Sequence, residues 1–531
     1  MMSSNVSEHR QPPVEMKDWQ PPSERAPSYT RPQEPTLIRV VGMVGIVAAV
    51  IGTMAIGFIL AGRPSRFVGV FWGSLLLETG LLAMLLHAAS DRDTQIRRTY
   101  TVFGFLLLAA GIVLSLLAIH TGSYLVWGFP CLIGALLFLT VSNRHEDNAD
   151  WRNSTTLTLG AAGAALALTG FIGGNIGQFL TPVGLLLGVL GLAYLCCFVV
   201  SRGVSDNLGY WGGVAMGAVG VIAFLVALGR SVIPSLLHSW HWTQAMPAHY
   251  FLPNGFLLIA LGLVYAAASA MLCSDNRLLV MTRRELASFF YSPVAYIALL
   301  VWTVVGGLEF MPLVERLVNV DPRNPVVEPV VGYYFLSWLV VIGIIFVVPM
   351  LTMRLLSEEK RSGTLEVMLT APIDEVSLVL SKFLAASIFF VLLSLPWGIY
   401  LLSLRIGAGQ PFDYMPLLSF TVVNLAIGAG LMAMGLFFSS VTQHQVISFA
   451  LTFVMMLALT AAFLFLDRGP EAASTSHQSV TQTILRHISY IQLWISSLTG
   501  QLQFKYVVFH LTMAVLWLFA TVKVLDIRKW A

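Results

Sequence analysis

The stretch Met353-Arg-Leu-Leu-Ser-Glu-Glu-Lys-Arg-Ser-Gly-Thr-Leu-Glu-Val-Met-Leu-Thr-Ala-Pro372 separates two apolar runs, 332–351 and 378–404. Each run reaches the length of about 20 residues that a helix needs to cross hydrocarbon. The stretch between them is polar: six charges fall between Arg354 and Glu366, in a chain that is only 11% charged. Leu365, Met368 and Leu369 recur at i, i+3, i+4 beside polar partners, which predicts a short amphipathic helix. Gly363 permits a sharp entry to that helix, Pro372 ends it, and Asp374 is placed to cap the apolar helix that follows. The reading is of two spans joined by a charged elbow outside the bilayer.

The rest of the chain extends this pattern. Of its 531 residues, 57% are hydrophobic, and the mean hydropathy is +0.79. A soluble domain has about 25% charged residues and roughly 45–50% apolar ones, so most of this chain belongs in lipid. A net charge of +3 leaves no nucleic-acid footprint. Cys131, Cys196, Cys197 and Cys273 lie in or beside apolar runs without metal or disulfide spacing and read as small buried hydrophobes. Residues 1–36 are polar, hold seven prolines, and read as a disordered tail rather than a cleaved signal peptide.

Counting apolar runs of sufficient length predicts an all-α polytopic membrane protein with about fourteen spans, about eight of them over 37–272 and about six after Ser292. Lys and Arg in short loops orient the set. Arg92, Arg97, Arg98, Arg144, Arg152, Arg202, Arg277, Arg283, Arg284, Arg354, Lys360, Arg361 and Lys382 fall on one side and fewer basic residues on the other, which puts both termini in the cytoplasm. In the first half, Gly170, Gly173, Gly174 and Gly177, then Gly209, Gly213 and Gly217, give the small-xxx-small spacing of closely approaching helices. Residues 277–291 predict a helix lying in the membrane interface, with Leu286, Phe289 and Phe290 on its apolar face and Arg277 and Arg284 on the other.

Arg354-Leu-Leu-Ser-Glu-Glu-Lys-Arg-Ser-Gly-Thr-Leu-Glu, followed by Leu369-Thr-Ala-Pro372 and Lys382, resembles the signature of ABC-2 type permeases, the membrane subunits of a class of ABC exporters. Arg284-Glu-Leu-Ala-Ser-Phe-Phe-Tyr-Ser-Pro-Val-Ala-Tyr296 resembles the opening of the same family, in particular its gliding-motility and nitrous-oxide-reductase-maturation branches. The resemblance implies a permease domain over 275–531, with an interfacial elbow helix at 277–291 and an ABCG-like set of six spans, following a tail (1–36) and an N-terminal bundle (37–272) of unassigned role. It implies a place in the cell (inner) membrane, export of a substrate, and a homodimer or a heterodimer with another permease. It also implies that Glu358, Glu359, Arg361, Gly363, Thr364, Glu366 and Pro372 form the contact with a separate ATPase subunit. That subunit would bind ATP and Mg, with no cofactor on this chain. No Gly-x-x-x-x-Gly-Lys-Ser/Thr occurs here, and the Gly-Lys dipeptide is absent.

Other polar residues raise further possibilities. Glu78 sits inside an apolar run, where a carboxylate marks either a proton or substrate path or a hydrogen-bonded structural group. His87, Asn175 and Asn424 pose the same question, while Glu309, near the outer end of its span, reads as interfacial. His238 and His241 could share a helical face and hold a soft metal ion, although Trp240, Trp242 and Tyr250 beside them suit an interfacial aromatic belt. Residues 467–505 begin polar and then show Ile484, Ile488, Ile491 and Ile495 at helical spacing, which predicts a segment folding back onto the outer membrane surface. The competing function is an ion-coupled secondary transporter of about fourteen spans, which needs paired intramembrane charges and inverted repeats of broken helices. A membrane enzyme in the first half would need paired acids, a metal triad or a nucleophile, and the sequence shows none.

Overall fold

In the computed structural model the chain is helical throughout the residues described, which are 36–60, 66–90, 93–121, 125–144, 146, 148–173, 180–240, 255–291, 293–318, 330–370, 374–408, 413, 416–467 and 487–530. Asn175, His241 and Pro372 lie outside them, as does the side chain of Glu78. Contacts divide the chain into two units, 1–100 and 101–531.

The first unit holds α1 (Thr36–Leu60), α2 (Arg66–Ser90) and the start of α3 (Thr94–Thr121). α1 and α2 form an antiparallel hairpin in which Gly80 lies against the backbone of Ala49 and Gly45 against Ala83. His87 is buried, and its Nδ1 lies 2.9 Å from the Tyr100 hydroxyl. That hydrogen bond is a sufficient structural account of an imidazole inside an apolar helix.

The second unit continues with three more hairpins of similar construction. α3 pairs with α4 (Leu125–Asn143), α5 (Ala149–Gly173) with α6 (Leu180–Arg202), and α7 (Asn207–Ser239) with α8 (Phe256–Cys273). Small residues line each seam. Gly170 meets Gly188 and Ala167 meets Gly191 between α5 and α6; Gly220 meets Gly262 and Gly217 meets Ser269 between α7 and α8. Without side chains in the way, backbones approach closely enough for dispersion to hold helices that gain nothing from expelling lipid. The glycine spacing in the sequence is thus accounted for at Gly170, Gly213 and Gly217. The hairpins are tied further by hydroxyls given to backbone carbonyls: Tyr194 to Leu132 (2.7 Å), Tyr265 to Gly188 (2.6 Å) and Ser269 to Gly213 (2.7 Å).

After α8 come α9 (Arg277–Tyr291), α10 (Pro293–Val318), α11 (Gly332–Phe335), α12 (Trp338–Thr352), α13 (Ser357–Ser362), α14 (Thr364–Thr370), α15 (Glu375–Ala408), α16 (Pro416–Val441), α17 (Gln445–Asp467), α18 (Tyr490–Leu498) and α19 (Phe504–Trp530). One continuous apolar core joins α9 to α19. An aromatic chain runs through it: Trp302 and Trp397 lie 5.2 Å apart, Trp397 and Phe335 5.7 Å, Phe335 and Phe420 4.4 Å, and Phe420 and Trp494 6.2 Å.

Ten helices among the described residues are long and apolar enough to cross a membrane, and shorter apolar helices occur at Val40–Ala55, Thr79–Ala89, Gly128–Asn143 and Gln445–Ala461. Two sequence boundaries shift. The run expected to span from Gly332 is broken at Ser337, whose Oγ accepts from the Val340 amide at 3.3 Å and so starts α12 afresh. Of the segment expected to fold back onto the outer surface, the described helix α18 packs into the bundle: Tyr490, Ile491, Leu493, Trp494 and Leu498 are buried, and the Tyr490 hydroxyl bonds Thr460 of α17 at 2.8 Å. Three large aliphatic side chains with two aromatics on a short helix are better packed among helices than spread over the membrane surface.

Candidate coupling site

The charged elbow between α12 and α15 folds as two short helices, α13 and α14, meeting at Gly363. Gly363 has φ +73°, a left-handed conformation that ends α13 and redirects the chain into α14. The single amphipathic helix read from Leu365, Met368 and Leu369 is therefore α14 alone. Leu365 is buried and Met368 packs partly against the core. Asp374 caps α15 as expected: its carboxylate accepts from the Ser377 amide at 3.0 Å and hydroxyl at 2.9 Å. The Ser377 hydroxyl and amide hold that carboxyl below the usual carboxylate range.

Nothing lies within 4 Å of a Cβ built on Gly363, so its requirement is one of backbone only. Gly363→Val is expected to destabilise the elbow by about 1–2 kcal/mol, the cost of placing a side chain in left-handed space, with Gly363→Asn clearly milder. Limited proteolysis between α13 and α14 checks this order; equal cleavage of both variants would contradict it.

The root of α13 is fixed from two sides. The Ser439 hydroxyl of α16 accepts from the amides of Leu356 (3.0 Å) and Ser357 (3.1 Å) and donates to the Met353 carbonyl (3.1 Å). These contacts serve backbone groups at a helix start, where amides have no intrahelical acceptor. On the other side, the Arg354 guanidinium donates to the Ser288 carbonyl of α9 at 3.3 Å and lies 5.5 Å from the centre of the Phe289 ring.

A buried ion-pair cluster joins α9 and α13 to α15. Lys382 of α15 has a side chain only 1% exposed, and its Nζ lies 2.9 Å from Glu285 Oε2 of α9 and 2.6 Å from Glu359 Oε1 of α13. Arg284 adds a 3.3 Å pair to the other oxygen of Glu285 while itself remaining 62% exposed. Two carboxylates and two cations balance, which is the condition for holding charge out of water.

The predicted contact residues separate into two groups. Glu358, Arg361, Thr364 and Glu366 are exposed along α13 and α14, and Gly363 bends the chain between them. Glu359 turns inward to Lys382. In α9, Phe289 is buried and stacks on Phe389 of α15 at 5.0 Å, Phe290 meets the same ring edge-on at 5.6 Å, and Leu286 packs partly against the core. The apolar face read as facing acyl chains is, at Phe289, spent on α15. Among the described residues no group of three or more His, Cys, Asp or Glu could hold a metal ion; His238 lies near the end of α7, and His241 falls outside the described residues.

Residue-type reasoning did not single out Glu285, Ser439 or Phe389. A signal for the first was present: Lys382 lies inside an apolar run beginning at Leu378, where a cation needs a carboxylate nearby.

Residues 337–520 match the family described as ABC-2 family transporter protein. The match opens at the serine that caps α12 and closes within α19, so it takes in the elbow, Lys382, Ser439 and α18. This region is an ABC-2 family transporter domain in a multi-pass membrane protein; α1–α11 precede it. No curated protein and no solved structure matches the chain.

Proposed function

We propose that this chain is the transmembrane permease subunit of an ABC-2 type transporter, exporting a substrate with energy from ATP hydrolysed on a separate ATPase subunit. The observation that carries the reading is the elbow α13–Gly363–α14 inside the ABC-2 domain. Its outer face carries exposed charge, while its root is locked by Ser439 and Lys382 to helices long enough to cross a bilayer. A partner that pushes on such a peg moves the spans.

In this reading the chain makes about fourteen spans with both termini in the cytoplasm of the cell (inner) membrane, because the shorter apolar helices join the ten long ones. It works as a homodimer or with a second permease, and the partner supplies the site for ATP and Mg. Its ABC-2 character extends back to α9, which the Glu285–Lys382 pair and Phe289–Phe389 stack bind to the matched region. The branch resemblance to gliding-motility and nitrous-oxide-reductase-maturation permeases belongs to the same proposal.

Purified alone, the chain is expected to hydrolyse no ATP. Glu366→Arg is expected to weaken recovery of the co-expressed ATPase about tenfold, roughly 1.4 kcal/mol, with membrane insertion unchanged. ATPase activity in the isolated chain, or undiminished recovery with Glu366→Arg, would refute the assignment.

A further inference from the structure

The cluster around Lys382 is more than the elbow needs for attachment. Ser439 alone satisfies the first amides of α13, and Leu365 buries the apolar edge of α14. Lys382 instead spans two elements that the chain separates widely, reaching α9 through Glu285 and α13 through Glu359. Glu359 Oε2 is buried and has no hydrogen-bond partner among the described residues. A cluster selected for stability alone would have that oxygen satisfied or replaced by packed apolar groups. Apolar contacts such as Phe289 on Phe389 let helices slide; two short charge-assisted bonds from one ammonium fix direction as well as distance. Arg354, bonded to Ser288, supplies a second link between the elbow root and α9.

We infer that Lys382 is a positioning residue for energy coupling: it latches α9, the elbow α13–α14 and the start of α15 into one lever, so that a push on the elbow is delivered to the spans. The inference rests on the proposed function, and its test separates the two. In the complex with the ATPase, spin labels at Val280→Cys (α9), Ser362→Cys (α13) and Val376→Cys (α15), all exposed positions, report three distances. They are measured nucleotide-free and after trapping with ATP, Mg and vanadate. A latched lever keeps all three within about 1–2 Å between states; a free elbow shifts by roughly a helical turn, about 5 Å.

The neutral variant Lys382→Met/Glu285→Gln/Glu359→Gln removes the ionic latch without stranding a buried charge. On trapping, its Ser362–Val280 distance is expected to shift or broaden where that of the wild type does not. Movement of the elbow against α9 in the wild type would overturn the inference, as would a neutral variant as rigid as the wild type. Should the neutral variant fail to assemble, the wild-type distances decide alone. Failure of the wild-type chain to bind any ATPase would overturn the proposed function instead.

Discussion

Lys382→Met is expected to destabilise the protein by about 3–5 kcal/mol, the cost of stripping a buried ion pair of one partner. The methionine fills nearly the same volume, so the loss is one of charge. It leaves Glu285 and Glu359 facing each other with side chains only 10% and 16% exposed. Arg284 stays near Glu285, but it is largely in solvent and its pairing is screened. The internal comparison is Lys523, paired at 3.1 Å with Asp526 but 54% exposed. Lys523→Met is expected to change stability by no more than about 0.5 kcal/mol. Thermal unfolding in detergent measures both. Similar small shifts would show that the Lys382 cluster is hydrated and not a buried pair.

Phe389→Ala is the second large effect. Phe389 is fully buried, with the stacked ring of Phe289 and the edge of Phe290 of α9 against it. Phenylalanine truncation in a soluble core costs about 3–5 kcal/mol. In a bilayer the lost transfer term is smaller, because lipid can solvate what water cannot, and dispersion and cavity terms dominate. The expected cost is about 3 kcal/mol at the low end of that range. The damage should be local: α9 loosens from α15 before the bundle melts. Hydrogen exchange over 277–291 rising ahead of exchange over 416–441 is the expected signature. Uniform acceleration across both would place Phe389 in the global core instead.

The two halves of the chain were unequally legible. The spans around the elbow declare themselves because hydrocarbon demands long apolar runs, and Gly363 and Asp374 are read correctly because their backbone roles are local. Small-residue spacing gives the close seams at Gly170, Gly213 and Gly217 for the same reason: the missing side chain is itself the signal. What escapes is tertiary. Glu359 has the composition of a surface contact, and only the fold shows that Lys382, 23 positions on, draws it inward. Phe289 looks lipid-facing on a helical wheel, since amphipathicity tells that a face is covered but not by what. Ser439 gives no sign at all, because a serine in an apolar helix usually bonds its own preceding turn and here serves another helix start.

The central claim is that the outer face of α13 and α14 receives an ATPase. A photo-crosslinking residue at position 361 or 366, compared with one at position 318, tests it directly. Both elbow positions are exposed, and Val318 is 74% exposed at the far end of α10. In membranes holding the intact complex, illumination is predicted to join the ATPase subunit to positions 361 and 366 and not to 318. A complex that co-purifies yet crosslinks only at 318, or equally at all three, would contradict the account.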